Sequence, residues 1–213
     1  MTFGKQISRA ILWSFVWGGL FLFEPLSHSH ACKTTQPLPL KEEQADLNRF
    51  IKSLAQSTLR ERTFHETYYS HMLTTPTHKE GTLVFQPPDR LVKHVQIPTE
   101  ESFIVTGDNL LYENPSREIS LTFSLQEFPA LATLIDGLRA LFNGDAERLQ
   151  QVFFVSVSHT TDAWELNLLP KTPNEEDGVD CIRLVGEHAF LRTIEIHETN
   201  GDRSILVLDR QTP

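Results

Sequence analysis

From Arg62 to Leu208 apolar residues recur mostly at every second position, and this period is broken once. Ile119, Leu121, Phe123 and Leu125 share one side, and Glu118, Ser120, Thr122 and Ser124 the other. One side is dry and one wet, the signature of a strand in an antiparallel sheet. Similar runs lie around Phe64 to Tyr68, Gly81 to Phe85, Leu91 to Ile97, Ser102 to Thr106, Leu110 to Tyr112, Phe153 to Val157, Trp164 to Leu168, Val179 to Val185, Phe190 to Glu198 and Ser204 to Leu208. Between them stand turn signals such as Pro87-Pro88-Asp89, Gly107-Asp108-Asn109 and Asn200-Gly201. Tight turns make neighbouring strands antiparallel. A sheet of about eleven strands does not stay flat, and curls into a barrel or a half-open barrel.

The single break is Phe128 to Phe142. Leu131, Leu134, Ile135, Leu138, Leu141 and Phe142 follow the spacing of one helical face. Pro129 suits a first helical turn, Gly144 a left-handed C-terminal residue, and Asp145 the cap of a second short helix through Leu149 and Val152. Upstream, Leu47, Phe50, Ile51 and Leu54 predict one more amphipathic helix. The fold class is therefore mainly β with a few helices (α+β). Two arrangements fit the central helix. It covers the mouth of a barrel wide enough to hold a cavity, or it plugs a fully packed core. In the first, its apolar face competes with any guest for the same trough. Gly137 inside it is either a weak point that helps it move or a close-packing contact.

The N-terminus reads differently. Lys5 and Arg9 precede the apolar run Ala10 to Phe23, and Ser29-His30-Ala31 offers small residues at −3 and −1. This predicts a cleavable secretory signal over 1–31, a flexible leader over 32–45 and one domain over 46–213. The run is short for a membrane span of about 20 residues. The formal net charge of −9 becomes one unit more acidic once Lys5, Arg9 and Glu24 are removed. Such a surface repels nucleic acid and anionic headgroups, so contact with lipid has to be apolar. Of the two cysteines, Cys181 lies in a β-like run and reads as a buried small hydrophobe, although an exported chain permits a disulfide. Cys32 would be the first mature residue, a position that can be acylated, but Ser29 stands where an acylation signal has a leucine-like residue.

The chain has nine histidines. His28 and His30 leave with the signal, and His65, His71, His159, His188 and His197 are too scattered for a zinc pattern. There is no Gly-x-Ser-x-Gly, phosphate loop or His-Glu-x-x-His. Glu175-Glu176-Asp177 reads as a solvated charge run. No catalytic residue, metal or cofactor is expected. An enzyme on the same barrel would need titratable groups inside it, with His65, Glu66 and His94 as candidates.

Taken in order, several segments resemble one family: the signal and N-terminal helix, Phe64-x-Glu66-x-Tyr68, Gly81 to Leu91 with its Pro87-Pro88-Asp89 turn, Ile104 to Leu110, the mid-chain helical pair, Trp164-Glu165-Leu166-x-Leu168-x-Pro170, and the Asn200-Gly201-Asp202 hairpin. Together they look like LolA-type outer-membrane lipoprotein carriers, over nearly all of the mature chain. The resemblance implies a half-open antiparallel barrel with helices as a lid. It implies a monomeric periplasmic carrier of lipoprotein acyl chains, loaded by an inner-membrane release complex and unloaded to an outer-membrane receptor, with no nucleic acid involved. The lipid-binding residues it implies are Leu83, Phe85, Leu91, Ile104, Tyr112, Leu121, Phe123, Trp164 and Leu166 in the cavity, and Leu131, Leu134, Ile135, Leu138, Leu141 and Phe142 on the lid. One position departs. The family's carriers have an arginine before the proline of the turn, which helps latch the lid, and here that position is Pro87. Arg90 is near but not equivalent. A relative carrying a different lipid, a glycolipid or an aryl-polyene lipid, fits as well.

Overall fold

The computed structural model describes residues 41–57, 61–172, 178–188 and 190–209. The expected signal, Cys32, and the Glu175-Glu176-Asp177 run lie outside them. Helix α1 (Lys41–Ser57) comes first, followed by strands β1 (Glu61–Tyr69), β2 (Thr77–Gln86), β3 (Arg90–Ile97), β4 (Glu101–Thr106), β5 (Asn109–Asn114) and β6 (Ile119–Ser124). Helices α2 (Pro129–Asn143) and α3 (Ala146–Val152) follow. Strands β7 (Phe153–His159), β8 (Ala163–Pro170), β9 (Val179–Glu187), β10 (Phe190–Glu198) and β11 (Arg203–Leu208) complete the chain.

All eleven strands form one antiparallel sheet, ordered β6-β5-β4-β3-β2-β1-β11-β10-β9-β8-β7. The hairpins account for every neighbour but one, the pairing of β1 with β11, which sets Phe64 opposite Leu208 and Tyr68 opposite Ser204. That pairing leaves β6 and β7 at opposite free edges. They are consecutive in sequence, so the chain between them has to cross the gap. It crosses as α2 and α3. The sheet is a half-open barrel, and the break in the period-two pattern is the segment that bridges its opening.

The inner face follows from the alternation. In β1, Arg62, Phe64, Glu66 and Tyr68 are buried, while Glu61, Thr63 and His65 are exposed. Phe64, Phe85, Val95, Leu110, Leu166, Leu184 and Leu206 continue that face around the sheet and join one core with Ile51, Leu54, Leu141 and Leu149 from the helices. Helix α2 ends at Gly144, at φ 74°, in the left-handed region that glycine adopts without a Cβ clash. The Asp145 side chain then accepts from the Arg148 amide and opens α3.

Three boundaries differ from expectation. Helix α1 begins at Lys41, inside the stretch read as leader, because Lys41 to Gln44 are good helix formers. Strand β2 begins at Thr77, ahead of Gly81, where the alternating run was expected to start. Lys79 there lies opposite Glu66 across the ladder and is buried. Strand β6 stops at Ser124, because Ser124 and Glu127 form a reciprocal cap that turns Leu125–Glu127 into a single 3-10 turn. Cys181 is also corrected. It is fully buried, as read, but disulfide-bonded and not a free thiol.

Candidate binding cavity and its lid

Between the inner face and α2 lies a cavity of about 180 Å³. Leu83, Leu91, Phe103, Val105 and Leu110 form one wall, and Val179, Ile194, Ile196 and Leu206 another. Helix α2 closes it with Ala130, Leu131, Leu134, Ile135 and Leu138. A dry apolar cavity of about 150 Å³ takes a guest the size of benzene. The cavity therefore has room for a few methylenes.

The expected residues fall into groups. Leu83, Leu91, Leu131, Leu134, Ile135 and Leu138 line the cavity. Phe85, Leu141 and Phe142 are buried beside it in the core, with the Phe85 and Phe142 rings 5.1 Å apart. Trp164 and Leu166 are buried as well. Trp164 packs edge-on against Phe50 of α1 at 5.2 Å, and its indole N–H donates to the His188 carbonyl. Tyr112 stacks on Phe103 at 5.1 Å and donates to Glu101. Phe123 meets Phe128 near the β6 edge, where Leu121 is exposed. Ile104 is on the opposite parity to Phe103 and Val105, pairing with Val92 and Leu111. The cavity uses those two neighbours instead.

Of the polar groups of the wall, sequence reasoning named only Glu66, as a candidate of the enzyme alternative. Glu66 is buried on the cavity surface, its carboxylate accepting from Lys93 Nζ at 2.6 Å and from the Ser204 hydroxyl at 2.6 Å. Tyr68 also lines the cavity and donates to Asp202 at 2.7 Å. Behind them Lys79 and Glu101 form a second buried pair at 3.3 Å. Burial pushes the Glu66 carboxyl up, but the Lys93 charge, the hydrogen bonds from Lys93 and Ser204, and the Lys79 charge outweigh it and hold the group below its usual value. Burial is also the largest influence on Lys79 and lowers it to about 8 against the opposing pull of Glu101. The enzyme candidates do not converge. His65 is exposed beside Glu80 and Asp209, and His94 bonds Ser102, both on the parity opposite Glu66.

The lid is fastened to the barrel by its own arginine. Arg139 of α2 donates to the Asp89 carbonyl from Nε at 2.9 Å and from Nη2 at 2.6 Å, and to the Gly107 carbonyl from Nη2 at 2.8 Å. Asn143 donates to the Pro88 carbonyl at 2.6 Å. The two turns are themselves joined, since the Gly107 amide donates to the Asp89 carboxylate at 3.0 Å. Arg90, by contrast, reaches Thr106 at 3.3 Å and not the lid.

A half-open eleven-stranded barrel with helices bridging its free edges is the expected arrangement, and the family comparison agrees with it. Residues 41–210 match the family described as outer membrane lipoprotein carrier protein LolA-like. The chain belongs to this LolA-like family. No curated protein matches its sequence. Among solved structures it is similar to a LolA superfamily protein from Nitrosomonas europaea, at 10% identity and a TM-score of 0.40, over 78% of this chain and 94% of that one. It is also similar to the Mycobacterium tuberculosis lipoprotein LppX, at 12% identity and a TM-score of 0.34, over 78% and 94%. A third similarity is to the Pseudomonas aeruginosa MucA/MucB complex, at 9% identity and a TM-score of 0.41, over 79% and 59%.

Proposed function

We propose that this LolA-like protein is a periplasmic carrier. It takes the acyl chains of lipoproteins, or a related lipid, into the cavity under α2 and delivers them toward the outer membrane. The observation that carries this reading is an apolar cavity closed by one amphipathic helix, itself held by a few polar contacts to two barrel turns. Hydrocarbon moved from water into such a site gains about 0.8 kcal/mol per methylene. Displacing Leu131, Leu134, Ile135 and Leu138 from the same site subtracts from that gain, which keeps loading reversible. Each methylene beyond those that offset the lid's own burial adds about 0.8 kcal/mol to the net affinity.

Export is supported by the basic and apolar N-terminal pattern and by the disulfide at Cys181, since disulfides persist in oxidising compartments. A carrier role is favoured over catalysis because a general base works best with a pKa near the operating pH, and Glu66 is held in the other direction. Because the latch arginine sits on the lid and Pro87 stands at the family's latch position, cargo other than lipoprotein, such as a glycolipid or an aryl-polyene lipid, is the second reading. Mass spectrometry of an organic extract of the protein purified from the periplasm tests both. Stoichiometric lipid supports carriage and names the class. Absence of lipid, together with failure to bind any fluorescent hydrocarbon probe, overturns it.

A further inference from the structure

The cavity is greasy along most of its wall but has a built polar patch. Its charged lining residues are Lys93, Glu66 and Glu198, one cation against two carboxylates. Glu66 and Ser204 are both more than nine-tenths buried, and Ser204 Oγ is bonded to Glu66. A hydroxyl that donates its single proton still has acceptor lone pairs, and an ionised carboxylate has about four acceptor sites. Around this point the wall is therefore rich in acceptors and carries a negative excess. A free carboxylate or phosphate brought here meets Glu66 and Glu198, and the cation beside them, Lys93, is already bonded to Glu66. An acceptor-only group such as an ether has little to bond. A neutral donor fits both the charge and the hydrogen bonding.

We propose that the cargo carries, within or at the end of its hydrocarbon, an uncharged hydrogen-bond donor, a hydroxyl or an amide N–H, which is received by Glu66 and Ser204 with Lys93 fixing the carboxylate. This rests on the reading of the cavity as the cargo site and narrows its ligand class. Lys93 is a positioning residue here, because its bond at 2.6 Å holds one carboxylate oxygen and leaves the other directed to Ser204. Free fatty acids are the excluded guests.

The test uses the mature protein at pH 7.5 and displacement of neutral 1-aminoanthracene by guests of matched length: 1-decanol, decyl methyl ether and decanoate. In the native protein, decanol displaces the probe at a concentration at least tenfold below that of the ether or decanoate. In Lys93→Met/Glu66→Leu, which removes both charges together and leaves no lone buried ion, the preference of decanol over the ether collapses to within about twofold. Ser204→Ala, a small change that keeps the ion pair, cuts that preference severalfold and serves alone if the double variant does not fold. Equal displacement by decanol and the ether, stronger displacement by decanoate, or a preference untouched by Ser204→Ala overturns the assignment while the cavity reading stands. Failure of the native protein to bind the probe at all overturns both.

Discussion

The guanidinium of Arg139 and the carbonyl oxygen of Asp89 are joined by two hydrogen bonds, 2.9 Å and 2.6 Å long, across the boundary between lid and barrel. The donor belongs to the helix and the acceptor to the turn between β2 and β3. A planar guanidinium keeps its N–H groups in a fixed fork, so this contact has a set geometry as well as a charge. Hydrogen bonds to charged groups contribute about 1.5–3 kcal/mol each. One such bond offsets the burial of about two to four guest methylenes at about 0.8 kcal/mol each, so the latch is large enough to bias opening.

Removal of the latch gives the first expectation. In Arg139→Leu the closed lid loses a contact absent from the open, loaded form. We expect hydrocarbon guests to bind on the order of tenfold tighter, with slower release, because the displaced state becomes cheaper to reach. Arg139→Lys keeps the charge without the fork and should fall between. Probe titration and stopped-flow release measure both, and unchanged affinity in Arg139→Leu would mean that the helix does not open on loading.

The lid face gives the second. Leu134 lines the cavity and is half-buried, so a longer polar side chain there has an exit to solvent. Leu134→Glu places a carboxylate against the guest's path, and a charge is strongly disfavoured beside desolvated hydrocarbon. We expect probe binding to weaken at least tenfold with a melting temperature within a few degrees of native. Unchanged retention of a fluorescent hydrocarbon argues against α2 as the lid.

Much of this was legible because inward and outward positions alternate. Phe64, Glu66 and Tyr68 share a parity, as do Leu91, Lys93 and Val95, so the sequence already put Glu66 and Lys93 on the dry face. That two charges on one dry face would be partners was the available signal. It required knowing that β2 lies between β1 and β3 and brings Glu66 of one within reach of Lys93 of the other. In β4 the run Phe103-Ile104-Val105 is apolar at every position, so parity could not say which of them faces the cavity. Trp164 and Leu166 were assigned to the cavity from the family resemblance. Their inward side is right, but α1 covers part of that face, and helix placement is a tertiary matter. Arg139 reads as an ordinary exposed residue between Leu138 and Ala140. Only the meeting of two distant turns at Asp89 and Gly107 gives it acceptors.

The buried pair Lys79–Glu101 gives a pH-dependent expectation. The Lys79 ammonium has a folded pKa of about 8 against 10.5 when exposed. Between those values the unfolded chain binds more protons than the folded one, so stability rises with pH across this window. At about 1.4 kcal/mol per pKa unit, the gain from pH 8 to pH 9 is about 1 kcal/mol. Burial raises the Tyr68 phenol, with Asp202 adding to it, which acts in the opposite sense at higher pH, so the comparison stops at 9. Urea unfolding of the native protein against Lys79→Met/Glu101→Gln should show the difference between them growing by that amount. A constant difference would mean that Lys79 stays charged in the fold.

Gly137 offers a contest of two effects with a definite sign. It lies in the middle of α2, where alanine favours the helix by about 1 kcal/mol. A Cβ added there would sit 2.7 Å from Cε2 and 2.9 Å from Cζ of the Phe153 ring. Phe153 is fully buried, so its ring has little room to retreat, and overpacking costs about 1–3 kcal/mol. The glycine is a close contact between lid and barrel, not a hinge. We expect Gly137→Ala to lower the melting temperature by several degrees, despite its better helix propensity. Truncating the obstacle in Gly137→Ala/Phe153→Leu should recover part of the loss. If the single variant is instead stabilised, the helix has freedom to shift over Phe153, and the cavity beneath it is softer than its walls imply.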